Sequence, residues 1–224
     1  MVPSRTGQIF GRSANTIARV SIAGLIFLIA LIAIAAYIFV RSNYYTQKDV
    51  TVLQPVQFSH EHHVGGLGIG CRYCHTSVET SSFAGIPPTQ TCMNCHSQIW
   101  TTAPILQPVR DSWANGTPLH WQRVYNLPQF VYFNHSPHIA KGIGCETCHG
   151  RVDQMAQTYK ATSMQMEWCL ECHRNPAKYI RPRDQVFTMG YVPPQPQEVL
   201  GQQLVEQYKV LDVRTLTSCS TCHR

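Results

Sequence analysis

The sequence has no cysteine to spare. All ten cysteines fall into five CxxC pairs, so no thiol is left for a disulfide, for a resolving role in redox exchange or as a further zinc ligand. Acidic residues are missing from the first 19 positions, which carry Arg5, Arg12 and Arg19. Charged side chains are missing from the 21 residues between Val20 and Val40. The net charge of +6 is therefore half N-terminal; the remainder holds 15 Lys and Arg against 12 Asp and Glu. Such a balance gives no support to a nucleic-acid partner.

What is present is histidine immediately after every pair: Cys71–His75, Cys92–His96, Cys145–His149, Cys169–His173 and Cys219–His223. CxxCH is the pattern of covalent c-type haem attachment, in which two thiols add to the haem vinyl groups and the histidine becomes the proximal iron ligand. Zinc ribbons and thioredoxin-like CxxC sites need no histidine at that place. Histidine is 11 of 224 residues, so five such neighbours by chance is roughly a one-in-a-million event or rarer. The reading is five covalently bound c-type haems. Their thioether positions are Cys71, Cys74, Cys92, Cys95, Cys145, Cys148, Cys169, Cys172, Cys219 and Cys222, and their proximal ligands His75, His96, His149, His173 and His223. Ten propionates would bring the assembled domain near neutral or acidic. The expected fold is mainly α with much irregular coil, one N-terminal transmembrane helix and a compact multihaem domain whose interior is largely macrocycle.

Val20–Val40 is long enough to span a bilayer core. Ala33-Ile34-Ala35 resembles a signal-peptidase site, but the apolar run exceeds a usual signal h-region, which favours an uncleaved anchor. Arginines before the run keep residues 1–19 cytoplasmic and put everything after Arg41 outside, on the periplasmic face of a bacterial cytoplasmic membrane. With Ser21 and Tyr37 as its notable polar side chains, the span offers no proton relay or quinol site. Ser13-Ala14-Asn15 is a weak capping signal before it.

Residues 41–57 read as a tether. Beyond it the chain repeats. Phe58-Ser59-His60 with His63, then Gly68-Ile69-Gly70-Cys71, matches Phe133-Asn134-His135 with His138, then Gly142-Ile143-Gly144-Cys145. The offset is 75 at the histidines, 74 at the first cysteine and 77 between Cys92 and Cys169. A duplicated two-haem unit accounts for this, with modules at 58–97 and 133–174. Histidines three apart lie on one side of a helical turn, so each pair can serve two irons, while the phenylalanine packs on a porphyrin. His60 is assigned to the haem of Cys71 and Cys74, and His135 to that of Cys145 and Cys148. His63 and His138 then reach other haems, including ones distant in sequence, and fasten the modules together.

Residues 98–132 read as an irregular loop draped over haems, carrying Trp100 at its approach and then Trp113, Trp121 and His120. Prolines 176, 182, 193, 194 and 196 mark an extended wrap in the closing segment 175–224, which ends in the fifth motif. Leu200, Leu204, Tyr208 and Leu211 predict an amphipathic helix over Val199–Leu211, expected to lie on the fifth haem. The fifth distal ligand is one of His120, Met155, Met164, Met166 and Met189; a thioether would raise the potential. Met93, inside a CxxCH loop, reads as packing only.

The FxHxxH-then-CxxCH grammar resembles class III multihaem cytochromes. Together with one anchor, five motifs and Met166-Glu167-Trp168-Cys169, it resembles the pentahaem cytochrome c subunit of the bacterial alternative complex III. That resemblance implies a respiratory or photosynthetic electron-transfer subunit of a quinol-oxidising membrane complex. Its implied partners are an iron–sulfur subunit, a mono-haem cytochrome c and polytopic quinone-binding subunits, with no substrate site of its own. Self-sufficient single-anchor quinol dehydrogenases are the alternative; they place methionine at CxxCHxM, where this chain has His75-Thr76-Ser77. Reductases with an open iron use CxxCK, which does not occur here.

Overall fold

The computed structural model describes residues 10–223; Arg5 lies outside them. The chain divides after Thr46 into two units. In the first, helix α1 runs over Ala14–Arg41, 28 residues without a buried side chain. At about 1.5 Å per residue that is about 42 Å, longer than the expected Val20–Val40 at both ends. It is long and apolar enough to cross a membrane, a test a signal sequence also passes. Ser13 is the N-cap but makes no side-chain cap bond, so the weak capping signal is not used. Arg41 closes the helix with its guanidinium 3.7 Å from the Tyr37 ring centre, and a single turn, α2 (Asn43–Thr46), follows.

The second unit, from Gln47 onward, is short helices joined by coil. They are α3 (Cys71–Cys74), α4 (Thr89–His96), α5 (Gln107–Asn115), α6 (His135–Ala140), α7 (Cys145–His149), α8 (Met166–Arg174), α9 (Gln197–Gln207), α10 (Val213–Leu216) and α11 (Cys219–Cys222). Among the described residues no strand forms; there are isolated bridges at Lys48–Lys160, Thr51–Tyr159 and Ile143–Ile180. Two of these use the segment expected to be a tether. Residues 47–57 instead lie along 159–160 and bury Val56, so the haem-bearing unit begins earlier than Phe58.

The duplication has a visible seam. After His60 the first module forms a π-helix, Glu61–Gly66, in which the Leu67 amide reaches back five residues to the His62 carbonyl. The second module uses the ordinary α6 there. A π-turn takes up one extra residue. That is the residue by which the repeat offset drops from 75 at the histidines to 74 at the cysteines. Both copies then turn on a left-handed glycine, Gly68 at φ 67° and Gly142 at φ 81°, where a β-carbon would be strained.

Two apolar clusters lie between the motifs. One gathers Ile143, Ile180, Leu200, Leu204 and Tyr208, with Cys148 and Cys172 against it. Helix α9 supplies Leu200 and Leu204, as its periodicity predicts, but Leu211 is exposed. Its buried face seats beside the third and fourth motifs, not over the fifth as expected. The reason is Gly201, whose lack of a side chain lets α9 close onto the Ala177 backbone. The other cluster is Val56, Leu106 and Val109, with Met93 and Trp121 packed on it. It rests on α5, a helix inside the segment expected to be irregular. Pro108 in its first turn and left-handed Gly116 (φ 62°) at its end are start and stop signals the composition of that stretch obscured.

Candidate haem-binding site

Each CxxCH is a turn of helix: α3, the end of α4, α7, the end of α8, and α11. Residues three apart share a helical face, so both cysteines of a pair point the same way and the histidine closes the turn. Among the described residues no three His, Cys, Asp or Glu side chains converge to hold a bare metal ion.

Four of the five motif histidines face a second imidazole. His60 stands opposite His75 with ring centres 6.5 Å apart and planes within 10°. His135 stands opposite His149 at 6.3 Å and 8°, and His138 opposite His173 at 6.1 Å and 25°. His63 stands opposite His96 at 6.3 Å with planes at 71°. Two iron–nitrogen bonds of about 2.0 Å plus about 1.1 Å from each nitrogen to its ring centre give about 6.2 Å for an imidazole–metal–imidazole axis. The spacing fits haem iron held on both faces, with a CxxCH pair beside each axis.

Eight of these histidines have a partner for the other ring nitrogen. The Nδ1 of His75 donates to the Gly85 carbonyl (2.7 Å), of His96 to Ile99 (3.3 Å), of His173 to Leu216 (2.9 Å) and of His223 to Phe130 (3.0 Å). On the facing side, His63 donates to Ser59 (2.8 Å), His135 to Ser82 (2.7 Å) and His138 to Asn134 (2.7 Å), all carbonyls, while His60 Nδ1 lies 2.9 Å from the Thr158 hydroxyl. A proton fixed on Nδ1 leaves the Nε2 lone pair free for a metal. Burial, then the neighbouring His75, pushes His60 down to about 4; burial, then His135, does the same to His149. Burial also lowers His63 and His138. All four favour the neutral, ligating form.

Phe58 is set edge-on to His60 (4.9 Å, 88°) and stacked on His63 (4.4 Å, 24°). Phe133 repeats this with His135 (4.8 Å, 85°) and His138 (4.7 Å, 35°). The phenylalanine thus wedges the two imidazoles of its own module apart, a role the sequence did not suggest. Both second histidines, His63 and His138, face a partner within their own module. The modules are joined elsewhere: His60 by Thr158, His135 by Ser82, and the Glu61 amide by the Met155 carbonyl at 3.1 Å.

The ring facing His223 is Phe130, at 5.9 Å and 29°. His120 lines an open cavity of about 720 Å³ with Trp113 and Trp121. Met155 is buried beside Gly150, after the third motif. Met164 has a left-handed backbone, Met166 is 66% exposed at the start of α8, and Met189 is half-buried. Two residues at the site carried no sequence signal, because their neighbours are distant in the chain. Thr158 is one. Tyr125 is the other, edge-on to His149 at 4.4 Å, donating to the Cys148 carbonyl (3.1 Å) and accepting the Ala161 amide (2.8 Å).

The motifs touch in a fixed order. Asn94 of the second donates to the Tyr73 hydroxyl of the first (3.0 Å). Cys71 of the first and Cys145 of the third lie side by side. Cys148 and Cys172 of the third and fourth share one apolar cluster. His173 of the fourth bonds Leu216, three residues before the fifth. The third is further clamped by Glu146, which accepts from Arg181 (2.8 Å) and from the Gly190 amide (2.6 Å).

Residues 131–224 match the family model for cytochrome c7 and related cytochromes c. The chain is also 30% identical, over 152 residues covering 58% of it and 70% of the relative, to the multihaem cytochrome c subunit of a menaquinone reductase from Nitratidesulfovibrio vulgaris (strain Hildenborough).

Proposed function

Because the chain belongs to the multihaem cytochromes c, we propose that it is a membrane-anchored, periplasmic electron-transfer subunit of a quinone-linked membrane complex, carrying five haems. The observation that carries this is the set of four imidazole pairs, each at bis-axial spacing beside its CxxCH turn. Haem iron, when bound, supplies a reversible one-electron couple. His60 and His75, His63 and His96, His135 and His149, and His138 and His173 hold four irons on both faces, leaving no position for a substrate. His223 holds the fifth, with His120, Met155, Met164, Met166 or Met189 opposite.

What the polypeptide contributes is spacing and tuning. Contacts between motifs support one file in the order second, first, third, fourth, fifth, with the second and fifth at its ends. Helix α1 anchors the file to the bilayer. The partners are those of an alternative complex III-type assembly: iron–sulfur, mono-haem and polytopic quinone-binding subunits. In that setting electrons leave a quinol through the file.

A second reading reverses the flow. It is favoured by the similarity to a subunit of a menaquinone reductase, in which electrons would run toward the quinone. Both readings make the isolated chain inert toward quinol. Full-length holoprotein in detergent should be reduced by dithionite but not by menaquinol until partner subunits are added. Rapid reduction by menaquinol alone would instead make it a self-sufficient quinol dehydrogenase. In the reconstituted complex, the sign of haem absorbance change after menaquinol or menaquinone separates the two directions.

A further inference from the structure

Among the histidines bonded through Nδ1, His60 is the exception in acceptor. Its neighbours use backbone carbonyls, which no side-chain substitution removes; His60 has the Thr158 hydroxyl at 2.9 Å, 98 residues away. Thr158 is not placed there loosely. It immediately precedes Tyr159 and Lys160, which bridge to Thr51 and Lys48, and the Lys160 carbonyl accepts the Asp49 amide at 2.8 Å. The segment before the first module therefore pins the residue that touches the first module's histidine. At the matching place in the other copy the Ser82 carbonyl takes the Nδ1 proton of His135 (2.7 Å) and also its backbone amide (3.4 Å).

We propose that Thr158 is a positioning residue for the first haem, fixing the tautomer and ring plane of His60 across the module boundary and setting the potential of that iron apart from its duplicate. This rests on His60 being the distal ligand opposite His75. With Nε2 turned to the metal, Nδ1 carries the proton and donates it to the hydroxyl. Such an outer partner raises the donor strength of the imidazole, and its loss costs about 10- to 100-fold in metal affinity. A stronger donor favours the ferric state, so losing the acceptor raises the potential.

Three variants of the full-length holoprotein test this: Thr158→Val, which keeps the shape without the acceptor, Thr158→Ser, which keeps the acceptor, and His60→Ala. Thr158→Val should raise one of the five midpoint potentials, a tenfold change in the oxidised-to-reduced preference being about 59 mV for one electron. It should also shift one low-spin EPR signal while all five haems remain attached. Thr158→Ser should return both toward the parent. His60→Ala should convert one haem to high spin, and the haem that converts should be the one whose potential moved. If Thr158→Val leaves potentials and EPR unchanged while His60→Ala gives a high-spin haem, the positioning role is wrong and the ligation stands. Equal shifts in the Val and Ser variants overturn it too, since packing alone would then explain them. An unchanged spectrum in His60→Ala removes the ligation and the proposal with it.

Discussion

At the scale of single residues, the phenylalanine of each FxHxxH element decides the posture of two imidazoles at once. Phe58 touches both His60 and His63, and each aromatic contact of this kind is worth about 0.5–1.5 kcal/mol beyond its buried area. Phe58→Ala should therefore disturb two haems together. Two of the five low-spin EPR signals are expected to broaden or shift, against one for Thr158→Val, and a change confined to a single haem would show that the wedge does not couple them. The five CxxCH turns were legible because a five-residue pattern repeats with its spacing intact. The facing of the rings was legible in part. His60 with His75 and His135 with His149 follow from adjacency in the chain, whereas the partners of His63 and His138 depend on where α4 and α8 come to rest. Thr158 and Tyr125 were illegible, since an isolated threonine or tyrosine carries no mark of what lies across a module boundary.

At the scale of elements, helix α9 shows one physical term overruling another. Gly201 sits in its interior, where alanine would ordinarily gain about 0.5–1 kcal/mol. A β-carbon at that place would run into the Ala177 backbone, and overpacking against backbone costs about 1–3 kcal/mol. Gly201→Ala is thus expected to destabilise. Thermal melts should fall by several degrees, at about 2–4 °C per kcal/mol for a unit of this size, and a raised melting point would mean that α9 can slide away from Pro176–Lys178. The helix was readable from Leu200 and Leu204; its seat was not, because periodicity tells which face is buried and not against what. The π-turn at Glu61–Gly66 was present in the sequence all along as a one-residue change of offset. It became interpretable only beside the α-turn of its copy.

At the scale of the molecule, apolar side chains do not make a full interior. Twelve buried hydrophobic residues among those described serve a unit running from Gln47 to Arg224. A chain of that length ordinarily buries about 70% of its unfolded surface. The covalently bound haems of this family supply the remainder, which is why composition alone forecast coil held by cofactors. Chain produced without haem attachment should lack a cooperative melt and be cut rapidly by protease along its whole length after Gln47. A sharp transition in the haem-free chain would show that side chains suffice.

The contacts of His60 with Thr158 and of His135 with Ser82 are reciprocal. Residue i of one copy meets residue j of the other, and j meets i, the relation that defines two-fold symmetric association between identical subunits. The duplicated chain is in this sense a dimer written into one polypeptide. Such pairing is closed: each copy spends its acceptor on the other and keeps none for a newcomer. A third copy could not be inserted without leaving a first histidine unheld. Beyond this pair stands a lone motif, Cys219–His223, with no FxHxxH element of its own.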